Sequence, residues 1–323
     1  MTSSEVRISW GKLAAFGTPA VGAGYMYLFL SLYVMKFSTD VLLIAPVFMG
    51  LIFSVSRIWD AISDPLVGYL SDRTVTPLGR RRIWLLTSVI PISVTFYMVF
   101  APPLGLTKGQ LDWWMAVSII GFYSSMTLFF VPHMALGAEM TDDYHERNKL
   151  FGARHFAYAF GSILSLASMH LLIVAEFGEE TDVRALAEDL AILAVAVMSV
   201  FLIFAVFMLK ERPEFQGRMT SAPFSAFKDV WQNSHARLFI VVQFIENVGS
   251  AAIAALTLYV MQYVVGAPHL AVPVILTYFI PSSLSVPLWI PLAKRFGKIR
   301  MWVISMIGTG FSFGAFCLLP FID

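Results

Sequence analysis

The sequence predicts an all-α protein that crosses a membrane many times. Three observations carry that expectation. Hydrophobic residues make up 58% of the chain and charged residues 13%, about half the ~25% charged share of a soluble domain. Apolar windows recur along the whole length, and a crossing helix needs roughly 20 such residues. Lysine and arginine gather on alternate connections between the windows, the pattern that orients a polytopic chain.

The windows fall at 12–35, 42–70, 82–102, 112–138, 152–176, 185–209, 236–264, 269–293 and 300–321. All but the sixth carry Gly or Pro, which membrane helices tolerate better than soluble ones. The first follows a polar start without a small-residue cleavage site, so it is expected to be an uncleaved anchor. Trp113 and Trp114 open the fourth window, where an interfacial aromatic belt accounts for them. Glu246 is an isolated acid in the seventh.

With the N-terminus inside, 18 of the 22 basic residues fall on inner segments. Lys36, Lys108 and Arg184 lie outside, and Arg57 is intramembrane. The positive-inside rule therefore places the N-terminus in the cytoplasm of a multi-pass cell-membrane protein. The longest polar connection, Lys210 to Arg237, is expected to be a cytoplasmic linker with a short surface helix at Ala222 to Gln232. It separates a six-helix bundle, 1–209, from an incomplete three-helix bundle, 237–323, with 210–236 as the linker.

An internal repeat supports that division. Pro65-Leu-Val-Gly-Tyr-Leu-Ser-Asp-Arg73 is similar to Pro287-Leu-Trp-Ile-Pro-Leu-Ala-Lys-Arg295. Downstream, Gly79-Arg-Arg-Arg-Ile-Trp84 is similar to Gly297-Lys-Ile-Arg-Met-Trp302. The loops after spans two and eight read as one device used twice. Six plus six helices is the implied plan, so about nine of twelve are expected here and roughly three beyond Asp323.

The chemistry concentrates in Arg57-Ile-Trp-Asp60-Ala-Ile-Ser-Asp64-Pro65, inside the second window. Residues four apart share a helix face about 6 Å apart. Two carboxylates so placed in a low dielectric cannot both stay ionised without a cation. A bound ion, a proton or Arg57 must balance them. Intramembrane acids cost at least ~2.5 kcal/mol each on insertion scales, which argues for function.

Gly68-Tyr-Leu-Ser-Asp72-Arg73-Thr-Val-Thr-Pro-Leu-Gly79-Arg80-Arg81-Arg82 resembles the inter-helix signature of the major facilitator superfamily. With the span-two acids, Pro132-His-Met-Ala-Leu-Gly-Ala-Glu139-Met-Thr-Asp142-Asp143-Tyr-His-Glu146-Arg147 and Arg154-His-Phe-Ala-Tyr-Ala-Phe-Gly161, it resembles the glycoside–pentoside–hexuronide:cation symporters. The resemblance implies a cation-coupled secondary transporter working by alternating access on a small, sugar-like solute. It implies a cation site at Asp60, Asp64 and Thr127, for Na⁺ or H⁺. It implies substrate contacts at Arg154, with Trp59, Tyr25 and Tyr27 as candidate cavity residues. Arg57, Asp72, Arg73, Arg80 and Arg81 are expected to act as gate and conformational elements.

Departures from the family bear on cargo. Its sugar-binding members carry an acid in span one and another in span four. Here no Asp or Glu occurs between Glu5 and Asp40, or between Asp112 and Glu139. Pro19 or Gly24, and Phe130, stand at those positions, and Met134 stands where the family has a tryptophan. Arg154 without its carboxylates suits an anionic group. An anionic, amphipathic or lipid-like cargo is therefore the alternative, and a non-transporting sensor or scaffold a second one.

Other classes are disfavoured. Net charge is +1, giving no field for nucleic acid. The single cysteine, Cys317, permits neither a disulfide framework nor a cysteine metal site. No phosphate loop, His-Glu-x2-His, Gly-x-Ser-x-Gly or Cys-x2-Cys occurs, so neither ATP drive nor an enzyme is expected. His133, His155 and His170 lack ligand-type neighbours, and packing is their default. No cofactor beyond the coupling cation is expected, and the partners are substrate and membrane lipid around a monomer.

Overall fold

A computed structural model describes residues 8–177, 182–212, 214 and 231–314. Nine long helices occur among the described residues: α1 Trp10–Lys36, α2 Pro46–Arg73, α3 Arg82–Phe100, α4 Lys108–Glu139, α5 Tyr144–Glu176, α6 Val183–Met208, α7 Ser234–Tyr259, α8 Ala271–Phe296 and α9 Lys298–Gly314. They fall on the nine expected windows. Seven of them, α1 to α7, are long and apolar enough to cross a membrane. Only part of α8 has described side chains, and α9 is described over 17 residues. The surface helix expected at 222–232 falls almost wholly outside the described residues, as does Cys317.

Local chemistry sets the helix starts. Pro46 opens α2, where its missing N–H costs nothing. Thr107 and Gln110 form a capping box on α4. Asp143 caps α5 by accepting the Glu146 N–H at 2.8 Å. That bond holds the Asp143 carboxyl below the usual aspartate range. Asp182 caps α6 in the same way, at 2.9 Å from the Arg184 nitrogen.

The chain divides into two compact units, Met1–Leu256 and Thr257–Asp323. In the first, α1 packs on α5 and α6, α3 on α4 and α6, and α2 on α4. Helices α1 and α4 are the most enclosed. Their shared core is aromatic: Phe16, Phe29, Phe37, Phe96, Phe100, Phe122 and Phe129 are almost fully buried. Tyr25, Phe29 and Tyr33 stack every fourth residue along α1 and Phe37, just past its end, continues the row at a tilt, with centroids 5.5, 5.5 and 6.0 Å apart. Such rings supply the dispersion contacts that must hold helices together where lipid removes the hydrophobic drive.

Small residues let α1 and α5 touch backbone to backbone. A Cβ on Gly24 would collide with the Tyr158 carbonyl, and one on Gly161 with the Val21 carbonyl. Ser162 donates from its hydroxyl to the Gly24 carbonyl at 3.3 Å.

One end of this unit gathers the α2–α3 loop, the α4–α5 loop, the α6 exit and the start of α1. There Arg80 meets Glu139, Arg212 meets Asp142 and the Ile8 N–H meets Glu146. At the other end Lys36, only 2% exposed, pairs with Asp40 at 2.7 Å and Glu176 at 2.6 Å.

In the second unit, a π-helical turn at Val260–Val264 and a single 3-10 turn at Pro268–Leu270 lead into α8.

Candidate cation and substrate site

The acid pair lies at the α2–α4 contact. Pro65 leaves α2 helical through Arg73, so Asp60 and Asp64 keep the i, i+4 relation. The Thr127 hydroxyl of α4 donates to Asp64 Oδ1 at 2.8 Å. Asp60 Oδ2 is 3.2 Å from Arg57 Nη1, while its Oδ1 is buried without a hydrogen-bond partner. Arg57 also donates to the Tyr123 hydroxyl at 2.7 Å, its guanidinium 4.3 Å from the ring centroid. Trp59 Nε1 donates to Ser124 Oγ at 2.8 Å.

Asp60 pairs with the Arg57 guanidinium and Asp64 with the neutral Thr127 hydroxyl, so the ionised pair carries one negative charge without a cationic partner among the described residues. A single monovalent cation or proton balances it. The donors are carboxylate and hydroxyl oxygens, suited to a hard ion. Among the described residues no group of three His, Cys, Asp or Glu side chains could hold a metal ion.

An aromatic path leads from this pair to Arg154. Tyr27 of α1 packs on Tyr123 at 6.1 Å and on Phe130 at 5.2 Å. The Arg154 guanidinium lies 5.3 Å from the Phe130 centroid, and its Nε is buried without a partner. No carboxylate pairs with Arg154 among the described residues. Glu139 is held instead by Arg80 at 2.7 Å and Arg81 at 3.1 Å. Phe130 thus offers a π face to the Arg154 guanidinium.

Of the predicted residues, Asp60, Asp64, Thr127, Arg57 and Trp59 come together at one α2–α4 contact, and Arg154 lies at the end of the aromatic path. Tyr25 lies apart: it stacks on Phe29. Tyr27 occupies the central position instead. His133 is fully buried, stacked between Phe16 at 4.4 Å and Phe129 at 4.9 Å, with Nε2 3.1 Å from the Phe16 carbonyl. That is a packing role. Gly24, one candidate for the span-one acid position, has the Tyr158 carbonyl where a side chain would go.

The predicted gate residues assemble where the loops meet. Arg81 pairs with Asp72 and Glu139 and donates to Ser71 at 2.7 Å. Arg73 lies 4.2 Å from the Tyr69 ring centroid, apart from that cluster. Sequence reasoning missed Tyr123, Ser124 and Glu211. Tyr123 had a legible signal, being one helical turn before Thr127 on the same face.

Long apolar helices around an intramembrane acid pair define a multi-pass helical membrane protein. The chain belongs to the major facilitator superfamily, matching the family described as MFS/sugar transport protein over residues 15–321. It is similar to the inner membrane symporter YicJ of Escherichia coli (strain K12), at 29% identity over 80% of this chain and 56% of that protein. It is similar to the isoprimeverose transporter of Lactiplantibacillus pentosus, at 26% over 93% and 62% respectively. It is also similar to the sodium-dependent lysophosphatidylcholine symporter 1-A of Danio rerio, at 30% over 43% of this chain and 26% of that one. The chain spans less than two thirds of the length of these relatives.

Proposed function

We propose that the protein is a secondary active transporter that couples uptake of a small organic solute to Na⁺ or H⁺. The observation that carries this reading is the acid pair inside an apolar helix, Asp60 set against Arg57 and Asp64 against the Thr127 hydroxyl, with one cationic partner for two carboxylates among the described residues. A cation bound there neutralises the pair and frees Arg57 from its role as the only counter-charge. Solute then binds along the aromatic path towards Arg154. The fully loaded and fully empty carriers change orientation, while a half-loaded one keeps a charge or a gap that resists the change. Coupling is the difference in affinity between the two orientations.

The proposal extends to topology. The end holding the α2–α3 and α4–α5 loops faces the cytoplasm, as does the N-terminus. The repeat divides the chain into a six-helix bundle, 1–209, and a second bundle that includes 237–323, joined by the 210–236 segment, and the carrier acts as a monomer.

A sugar-like solute fits the name of one bacterial relative, the isoprimeverose transporter. A second reading, an anionic or amphipathic cargo, is favoured by one feature: Arg154 is without a carboxylate partner among the described residues and lies over the Phe130 ring. Loss of uptake of an anionic solute in Arg154→Ala, with a neutral glycoside not carried, supports the second reading. Equal glycoside uptake by wild type and Arg154→Ala contradicts it.

The cation site is tested by thermal unfolding. A ligand that binds only the folded state raises its stability by RT ln(1 + [L]/Kd). Na⁺, Li⁺ or lowered pH should raise the melting temperature over K⁺ controls, and Asp64→Asn should abolish the rise. No cation- or proton-dependent rise in wild type contradicts the site.

A further inference from the structure

The first N–H groups of a helix have no partner within it, and they form a site for negative charge. At α3 that site is filled from far along the chain. Glu211, just beyond the end of α6, accepts the Arg80 N–H on Oε2 at 2.9 Å. Its Oε1 accepts the Arg81 N–H at 2.9 Å and the Arg82 N–H at 2.8 Å. Arg81, the N-cap residue, supplies no side-chain cap of its own.

Glycine makes the approach possible. Gly79 has φ +121°, and a Cβ there would collide with the Glu211 carboxylate. The next residue adds a second tie, since Arg212 reaches Asp142 of the α4–α5 loop at 2.6 Å. The α6 exit is thus fastened to both loops at this end.

The division of labour is what matters. Glu211 holds the backbone of Arg80 to Arg82, which leaves their side chains free for other partners. Arg80 and Arg81 reach Glu139, and Arg81 also reaches Asp72 and Ser71. Arg82 Nε donates to the Val206 carbonyl of α6 at 2.7 Å. Without the carboxylate, three donors lose their acceptor and the arginines lose their fixed origin.

We propose that Glu211 is a positioning residue of the carrier: by capping α3 it sets the Arg80–Arg81–Asp72–Glu139 gate and ties the α6 exit to it. This rests on the transport reading above. The gate is a bistable contact of the kind that switches a carrier between orientations. Glu211 acts through the arginines and touches neither cation nor solute, so it governs turnover and leaves affinity alone.

The test uses the full-length protein in proteoliposomes, with Glu211→Gln and Glu211→Ala. Hydrogen–deuterium exchange of the 76–84 segment, thermal unfolding and uptake kinetics are measured together. The expected result is at least tenfold faster exchange at Arg80 to Arg82 and at least tenfold lower turnover, with apparent KM for cation and solute within twofold of wild type. Glu211→Gln, which keeps one acceptor oxygen, should fall between wild type and Glu211→Ala; if Glu211→Ala fails to fold, Glu211→Gln alone decides. Unchanged exchange overturns the cap. Faster exchange with turnover within twofold of wild type overturns the gate role while leaving transport intact. A wild-type protein that moves no solute overturns the transport reading, and the gate role with it.

Discussion

Thr127 shows how much one hydroxyl can decide. It donates to Asp64, whereas Asp60 takes its contact from Arg57, so the two acids are held by different partners. Hydrogen bonds to charged groups are worth about 1.5–3 kcal/mol. Thr127→Val, which keeps the shape, should therefore weaken cation affinity roughly 10- to 100-fold while the protein still folds. A cation-dependent melting curve checks it, and wild-type affinity in Thr127→Val would remove Thr127 from the site. The acids were legible because charge in a 28-residue apolar helix has few structural excuses. Thr127 was legible only through the family resemblance, since a threonine in a membrane helix usually bonds its own backbone. The Arg57–Asp60 pair was legible from its spacing, whereas the bond from Arg57 to the Tyr123 hydroxyl was not, because the α2–α4 packing brings those two together.

At the scale of elements, the α1–α5 contact is the tightest in the first unit. Gly161 and Gly24 each face a carbonyl of the opposing helix, and close backbone approach is what such small residues provide in lipid. Gly161→Leu should lower the melting temperature by several degrees and uncouple α1 from α5. An unchanged melting temperature would show that the helices can separate freely there.

The turn after α1 makes a second prediction. A π-helical turn at Phe37–Val41 is followed by Leu43 at φ +57°, the one non-glycine left-handed residue among those described. After α7 the same turn recurs at Val260–Val264, followed by Gly266 at φ +70°. The backbone bonds match as well: Leu42 N–H to Phe37 O and Ile44 N–H to Ser38 O in one, Val265 N–H to Val260 O and Ala267 N–H to Met261 O in the other. A left-handed conformation costs a non-glycine residue about 1–2 kcal/mol, and added chain entropy makes glycine ~0.5–1 kcal/mol less favourable. Leu43→Gly should be neutral to slightly stabilising, and Gly266→Leu destabilising by about 1 kcal/mol. A marked loss of stability in Leu43→Gly would contradict that reading of the turn. This second trace of the repeat was illegible in the sequence, because the two turns share backbone geometry and almost no residues.

For the whole molecule, the windows located the helices because apolar length is set by the bilayer itself. The positive-φ loop glycines Gly79 and Gly297 stand at matching places in the repeated motif, which supports the proposed two-bundle plan. What hydropathy could not supply was the pairing among helices. The α1–α5 and α2–α4 contacts place an acid pair and an arginine without a carboxylate partner among the described residues at the two ends of one aromatic path. Coupling needs both ends, since a solute site alone gives only facilitated diffusion.

The most direct measurement is solute-panel uptake into proteoliposomes holding the full-length protein, under imposed Na⁺ or proton gradients, beside Asp60→Asn/Asp64→Asn. Gradient-driven accumulation that disappears in the double variant is the predicted result, and it names cation and cargo together. Accumulation that persists undiminished in the double variant would contradict a cation site at the acid pair.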